Sequence, residues 1–266
     1  SLPYADQLHA LFPTLELRVT DLFALEGHQV AELPTRAPAR ELAEVLHAYP
    51  ELRTFLEVRH PPIAGYLTRL LAEHGPAEPA ALTSSEQAVL WEIGDLIIYD
   101  TAPELYDALA VHDWDFGLAT AAVDLDGRTV IDAGAGSGKV AFEAAGRARH
   151  VFAIEPAARL REYMRDKAAL SGITNLYVLD GTLDAIPLPT DTADVLLTCR
   201  AIGWRLEEEL VEIERVVRAG GVALHLGHPH PPPDESHLHQ RLIEVGYSIV
   251  TYPEGQEQRT SYRKRI

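Results

Sequence analysis

The chain has 266 residues, 47% apolar and 24% charged, an ordinary globular composition that excludes a fibrous or generally disordered polymer. Its 40 acidic residues outnumber 23 basic ones, and the net charge of −17 repels phosphate backbones and anionic headgroups, so neither nucleic acid nor a membrane is an expected partner. The single cysteine, Cys199, excludes a disulfide framework and a multi-cysteine metal site, and no apolar run approaches the ~20 residues that cross a bilayer. Residues 1–6 show no basic region leading into an apolar run, so no signal peptide is expected and a cytoplasmic location is.

The first stretch reads as short helices. Leu42, Val45, Leu46 and Tyr49 recur at helical spacing over 39–49. Ile63, Tyr66, Leu67, Leu70 and Leu71 repeat the pattern over 63–73, behind the start signal Pro61-Pro62. Gly75-Pro76-Ala77-Glu78-Pro79 punctuates it, and a division of the chain is expected there, with a helical region over 1–80 and a second domain over 81–266. Ser84-Ser85-Glu86 is expected to cap a further helix carrying Val89, Leu90, Ile93, Leu96 and Ile97, and Pro103 to open a short one through Leu109.

From residue 128 the texture changes. Short β-branched runs at 128–132, 150–155, 176–180, 193–199 and 222–226 alternate with helical patterns at 139–146, 157–170 and 206–217, with a turn expected at Gly220-Gly221. A last helix over 236–246 precedes two strands near 247–252 and 259–265. Strand–helix alternation predicts an α/β fold: a doubly wound, Rossmann-like, seven-stranded and mostly parallel sheet with an N-terminal helical extension. Ligands of such sheets bind beyond the carboxyl ends of the strands, which makes the loops there worth reading.

The strongest of those loops is Asp132-Ala133-Gly134-Ala135-Gly136-Ser137-Gly138, between a predicted strand and a predicted helix. Glycines there permit positive φ and let a ligand approach the backbone. Lys139 stands where a dinucleotide fingerprint wants its third glycine, which counts against NAD. Glu155 ends the next strand 23 residues after Asp132, where a carboxylate can accept from ribose hydroxyls. His225, His228, His230, His237 and His239 crowd one stretch around Pro229 and Pro231-Pro232-Pro233. No carboxylate or cysteine accompanies them at helical ligand spacing, so a loop flanking an acceptor pocket is expected rather than a metal site. His225 or His228 could touch substrate or act as a base, and Arg200 and Trp204 share that rim, Arg200 being suited to an acidic acceptor. Cys199 has no base beside it in sequence and is not expected to be a nucleophile.

These motifs follow one another in a specific order. Val130-Ile131-Asp132 and the glycine loop are followed by Glu155, by Asp180-Gly181-Thr182, by the Leu-Pro segment 186–195 and by Glu212 to Gly221. The series resembles the class I S-adenosylmethionine-dependent methyltransferases, of the small-molecule type related to ubiquinone and biotin biosynthesis, over about two thirds of the chain (residues 84–266); Ala219 replaces the family's usual proline. The resemblance implies S-adenosylmethionine as cofactor and a small-molecule methyl acceptor. It implies that the backbone of Gly134, Ala135, Gly136 and Gly138 lines the methionine and ribose parts, with Asp132 organising the loop or reaching the amino group through water. Glu155 would hold the ribose hydroxyls, Asp180 the adenine amino group with Gly181 nearby, and the Cys199 carbonyl the ammonium. Tyr99 and Tyr106 belong to a segment that folds over the cofactor in related enzymes. Helical additions such as residues 1–80 commonly cap the acceptor pocket or make a homodimer contact. No catalytic base is identified. The alternatives are a non-catalytic S-adenosylmethionine-binding module, an NAD-dependent oxidoreductase, and an RNA or protein methyltransferase.

Overall fold

Leucine periodicity builds the first of two compact units, Ser1–Val111, and strand–helix alternation the second, His112–Ile266. The computed structural model describes residues 4–109, 112–232, 236–254 and 257–266. In the first unit the helices Ala39–Ala48, Pro50–Arg59, Ala64–Glu73 and Leu82–Thr101 enclose one core. Leu42, Leu46, Leu52, Leu56, Leu67, Ile93 and Ile97 are each at most 2% exposed in it. Burial on that scale stabilises by about 1.5–3 kcal/mol per side chain before chain entropy is counted.

Three expectations change here. The division expected at residues 80–81 falls instead after Val111, because the helix Leu82–Thr101 buries Val89, Ile93 and Ile97 among the leucines of the preceding helices. Ser85 is no cap: that helix starts at Leu82, and the Ser85 hydroxyl donates to the Glu44 carboxylate on the helix Ala39–Ala48. The helix Pro50–Arg59 was not anticipated, since only Leu52 and Leu56 mark its buried side, yet Pro50 sits at its first turn, where a missing N–H costs nothing.

In the second unit seven strands form one sheet among the described residues, in the order β3-β2-β1-β4-β5-β7-β6. They are β1 (Thr129–Ala133), β2 (His150–Ile154), β3 (Leu176–Leu179), β4 (Ala193–Cys199), β5 (Val217–Pro229), β6 (Ser248–Glu254) and β7 (Glu257–Arg265). β1 through β5 are parallel neighbours, and β7 runs antiparallel to β5 and β6. Every residue of β1 is buried, as a central parallel strand covered on both faces requires. Two hydrophobic layers flank the sheet, one with Val130, Met164, Leu197 and Leu224, the other with Ile131, Ile154, Leu196 and Ile213. The expected turn at Gly220-Gly221 is a bulge within β5: Ala193 pairs with Val217, and Val195 already with Val222. Strand order reverses at β1, which lies between β2 and β4, and this opens the crevice at the carboxyl ends where the glycine loop lies.

Candidate functional site

β1 ends in Asp132-Ala133, and the chain turns through Gly134–Gly138 into the helix Lys139–Ala145. Backbone bonds close the turn: Gly134 N and Ala135 N both donate to Ile154 O, at 2.9 and 3.0 Å, and Gly138 N donates to Ala135 O at 2.8 Å. Gly134 has φ +73°, and a Cβ added there would collide with the Ala201 methyl. The segment after β4 thus lies directly on the glycine turn. Gly138, at φ +94°, occupies the helix cap in the left-handed region.

Beside this turn lie polar groups that the protein leaves unsatisfied. Asp132 is 1% exposed, and neither carboxylate oxygen makes a well-formed hydrogen bond, the Ala141 backbone N–H being the one protein donor directed at them. Burial pushes its carboxyl up to about 8; the Ala141 backbone N–H opposes the rise and the Glu155 carboxylate adds to it. The Ser137 hydroxyl is buried and unpartnered. Glu155, past the end of β2, is also buried, but its oxygens are engaged: Oε2 accepts from Gly136 N at 2.8 Å and Oε1 from Ala157 N at 2.9 Å.

Past β3, Asp180 is exposed and its Oδ1 lies 3.1 Å from Arg161 Nη1. The same nitrogen donates to Glu155 O at 2.9 Å and Pro156 O at 2.5 Å. Arg161, on the helix Ala158–Leu170, therefore ties the loops after β2 and β3 together. Sequence reasoning missed it, because nothing local separates it from Arg159 and Arg165 on the same helix. Gly181 follows Asp180 and packs against Pro187 and Ile154.

Past β4, Cys199 pairs in register with Leu226 of β5, and burial pushes its thiol up to about 12, too high for a nucleophile. Arg200 has φ +58°, donates from Nε to Gly227 O at 3.2 Å, and holds Nη2 at 3.8 Å from Glu254. Its charge already has a carboxylate partner within the fold. Trp204 is 70% exposed. Its backbone is fixed, because the buried Glu209 accepts from Gly203 N, Trp204 N and Arg205 N at 2.7, 3.0 and 2.9 Å. No local signal singled Glu209 out of the acidic run 207–209.

His225 is fully buried in β5, with Nδ1 2.9 Å from Thr198 Oγ1 and Nε2 unpartnered. Burial lowers its pKa to about 3, with His228 adding; burial and then Arg200 lower that of His228 to about 4. At neutral pH both are uncharged hydrogen-bonding groups and poor proton acceptors. His230 and His239 bond to Thr260 Oγ1 and Tyr262 Oη, at 3.1 and 3.0 Å. No group of three or more His, Cys, Asp or Glu able to hold a metal occurs among the described residues; Pro233 of the proline run lies outside them. Asp132, the glycine turn, Glu155, Asp180, Gly181, Cys199, Arg200, Trp204 and His228 thus gather at the carboxyl ends of β1 to β5. Tyr99 and Tyr106 belong to the first unit, where their rings meet edge to face at 4.9 Å.

Comparison with known proteins agrees with this geometry. Residues 130–221 match a family described as a methyltransferase domain. A rice protein named 2-methyl-6-phytyl-1,4-hydroquinone methyltransferase 2, chloroplastic (Oryza sativa subsp. japonica) is 31% identical over 106 residues, 38% of this chain and 30% of that protein. An uncharacterized methyltransferase of Mycobacterium bovis is 30% identical over 95 residues, 35% of this chain and 37% of its own. The matched stretch therefore spans about a third of these relatives. In fold, the chain resembles a SAM-dependent methyltransferase of Aquifex aeolicus, with a TM-score of 0.52 at 20% identity over 61% of this chain and 96% of that one. No helix among the described residues is long and apolar enough to cross a membrane. Glycine turn, sheet order and family match together make residues 130–221 a methyltransferase domain, carried on the fold of the class I S-adenosylmethionine-dependent methyltransferases.

Proposed function

We propose that this chain transfers a methyl group from S-adenosylmethionine to a small-molecule acceptor. The observation that carries the reading is the set of buried acceptors at the glycine turn that make no well-formed hydrogen bond, the two Asp132 oxygens and Ser137 Oγ, at the switch point of the sheet. Buried polar atoms are costly when unpaired, so such a set asks for donors from outside the protein. The amino-acid end of S-adenosylmethionine carries an ammonium that meets this need, and its ribose offers hydroxyls to a strand-end carboxylate such as Glu155. The residues present therefore fit the cofactor.

Asp132 and Ser137 would receive the charged end, the turn from Gly134 to Gly138 the nearby backbone, Glu155 the ribose, and Asp180 with Gly181 the base. When bound, the cofactor supplies a methyl on a sulfonium, already activated for displacement. What remains for the chain is orientation and exclusion of water. Alignment of reactants of this kind lowers barriers by as much as about 7–11 kcal/mol. The Trp204 segment, fixed by Glu209, and the rim around His228 are assigned to the acceptor, with His228 as a neutral hydrogen-bonding group. The rice relative, named for a hydroquinone, supports a small-molecule acceptor.

Calorimetry with S-adenosylhomocysteine tests the assignment. Binding is expected in the parent and lost in Gly136→Val, with the circular-dichroism spectrum retained; no heat from folded, ligand-free parent refutes it. NADH in place of the nucleoside should give none. Transfer of radiolabelled methyl to members of a metabolite panel separates an enzyme from a silent binding module.

A further inference from the structure

The sheet-bearing unit carries a cavity of about 150 Å³ at the edge opposite the glycine turn. Arg128 stands just before β1, Asp194 at the start of β4, Gly220 and Gly221 in the bulge of β5, and Arg263 near the end of the antiparallel β7. These positions lie at the amino ends of the parallel strands, whereas the cofactor assignment uses their carboxyl ends. Three arginines are among the residues that line the cavity, Arg128, Arg218 and Arg263. In a chain with a net charge of −17, such a convergence is not what surface composition alone supplies.

Two of the three are matched within the fold. Arg218 pairs with Asp194, whose other oxygen accepts from Thr129 N at 2.7 Å. Arg128 faces Asp124 at 3.7 Å. Arg263 has no ion-pair partner among the described residues, and its Nε is buried without an acceptor. Among the lining side chains, three cations stand against two carboxylates, an excess of one positive charge. An unsatisfied buried donor of this kind marks the place of a water or an ion. One water needs only about 10–15 Å³ of such space, roughly a tenth of what is present. A water also leaves the excess charge uncompensated.

We propose that this cavity is a binding site for a small oxyanion, a phosphate or a short carboxylate, held by Arg263 with Arg128 and Arg218 at its flanks. The planar guanidinium presents paired N–H donors that match either oxyanion, and the charge-assisted bonds satisfy the buried Nε. The ligand would link the start of β4, the bulge of β5 and the end of β7.

The experiment is calorimetric titration of the parent with inorganic phosphate, and separately with acetate, at ionic strength held constant with sodium chloride. The protein is saturated beforehand with S-adenosylhomocysteine, or left free of it should that compound not bind, so the outcome does not depend on the cofactor assignment. One equivalent of phosphate or acetate is expected to bind, and the tighter of the two identifies the oxyanion class. Arg263→Gln is expected to weaken binding at least tenfold, and Arg263→Lys, which keeps the charge without the fork, by less. Phosphate also stabilises proteins by exclusion from their surface, so melting temperatures are compared between parent and variant at equal phosphate. Absence of heat with both anions overturns the proposal. So does affinity unchanged in Arg263→Gln, or, where that variant does not fold, unchanged in Arg263→Lys. Competition between phosphate and S-adenosylhomocysteine would move the anion to the cofactor crevice and equally overturn it.

Discussion

The buried pair Thr198–His225 gives the sharpest quantitative test of the structure. Both residues are fully buried, their side chains meet at 2.9 Å, and the His225 Nε2 has no partner. Its pKa falls from 6.5 to about 3 on folding. Below pH 6.5 the unfolded chain therefore binds a proton that the folded one refuses, and stability falls as pH falls from 6.5 toward about 3. At pH 5 the unfolded imidazole lies about 1.5 pH units below its pKa, which at about 1.4 kcal/mol per unit costs about 2 kcal/mol. At pH 7 the cost is close to zero. The double variant Thr198→Val with His225→Leu removes both polar partners together, which leaves no new orphan and removes the old one. Its stability at pH 7 is expected near that of the parent. At pH 5 it should gain about 2 kcal/mol relative to the parent. Urea titrations at the two pH values measure this as a widening gap between midpoints at unchanged slope. Asp132 acts in the opposite direction: its raised pKa contributes stability that is lost as pH rises through about 8. It is present in both proteins and cancels in the difference. Parent and variant midpoints that fall in parallel between pH 7 and pH 5 would show that His225 is not held neutral, and the packing argument for β5 would fail with it.

Two further outcomes follow from the strand-end loops. Gly134→Ala meets both a φ of +73° and the Ala201 methyl, so it should lower the melting temperature and remove S-adenosylhomocysteine binding. Adding Ala201→Gly relieves the collision alone, and a double-mutant cycle should report positive coupling of about 1 kcal/mol or more; strict additivity would place the two segments apart. Arg161→Ala frees Glu155 O, Pro156 O and Asp180 from their common donor, and is expected to weaken S-adenosylhomocysteine about tenfold, or about 1.4 kcal/mol, with Arg161→Lys recovering part of it. Unchanged affinity in Arg161→Ala would mean the two loops hold their places unaided.

Much of the second unit was legible because its signals are local. A five-residue buried strand such as Thr129–Ala133 announces itself by β-branched and apolar residues, and a glycine turn by its composition. The first unit was harder. Its helices are short, and a helix such as Pro50–Arg59 shows only Leu52 and Leu56 on its buried side. The boundary was misplaced for a physical reason: Gly75 to Pro79 punctuates the chain locally, while the division of a fold depends on which core the next helix joins. Ser85 misled in the same way, since a serine suited to a cap is equally suited to bond a buried glutamate on a neighbouring helix.

The site itself separates along the same line. Sequence order supplied the residues that end strands, because strand ends are fixed by local pattern. Arg161 and Glu209 act mainly through backbone groups four to six residues before them, an offset no periodic pattern marks, with Asp180 the one distant partner, and each satisfies three atoms at once. This explains an asymmetry around the crevice. Most backbone N–H groups of the glycine turn are used internally, on Ile154 O, Ala135 O and Glu155, so the turn is rigid before any ligand arrives. Asp132 and Ser137 are the groups left open. Recognition of a charged ligand end therefore rests on two side chains held by a pre-formed backbone, and the buried carboxyl, lifted to about 8, is stabilised in its ionised form only when a cation comes to meet it.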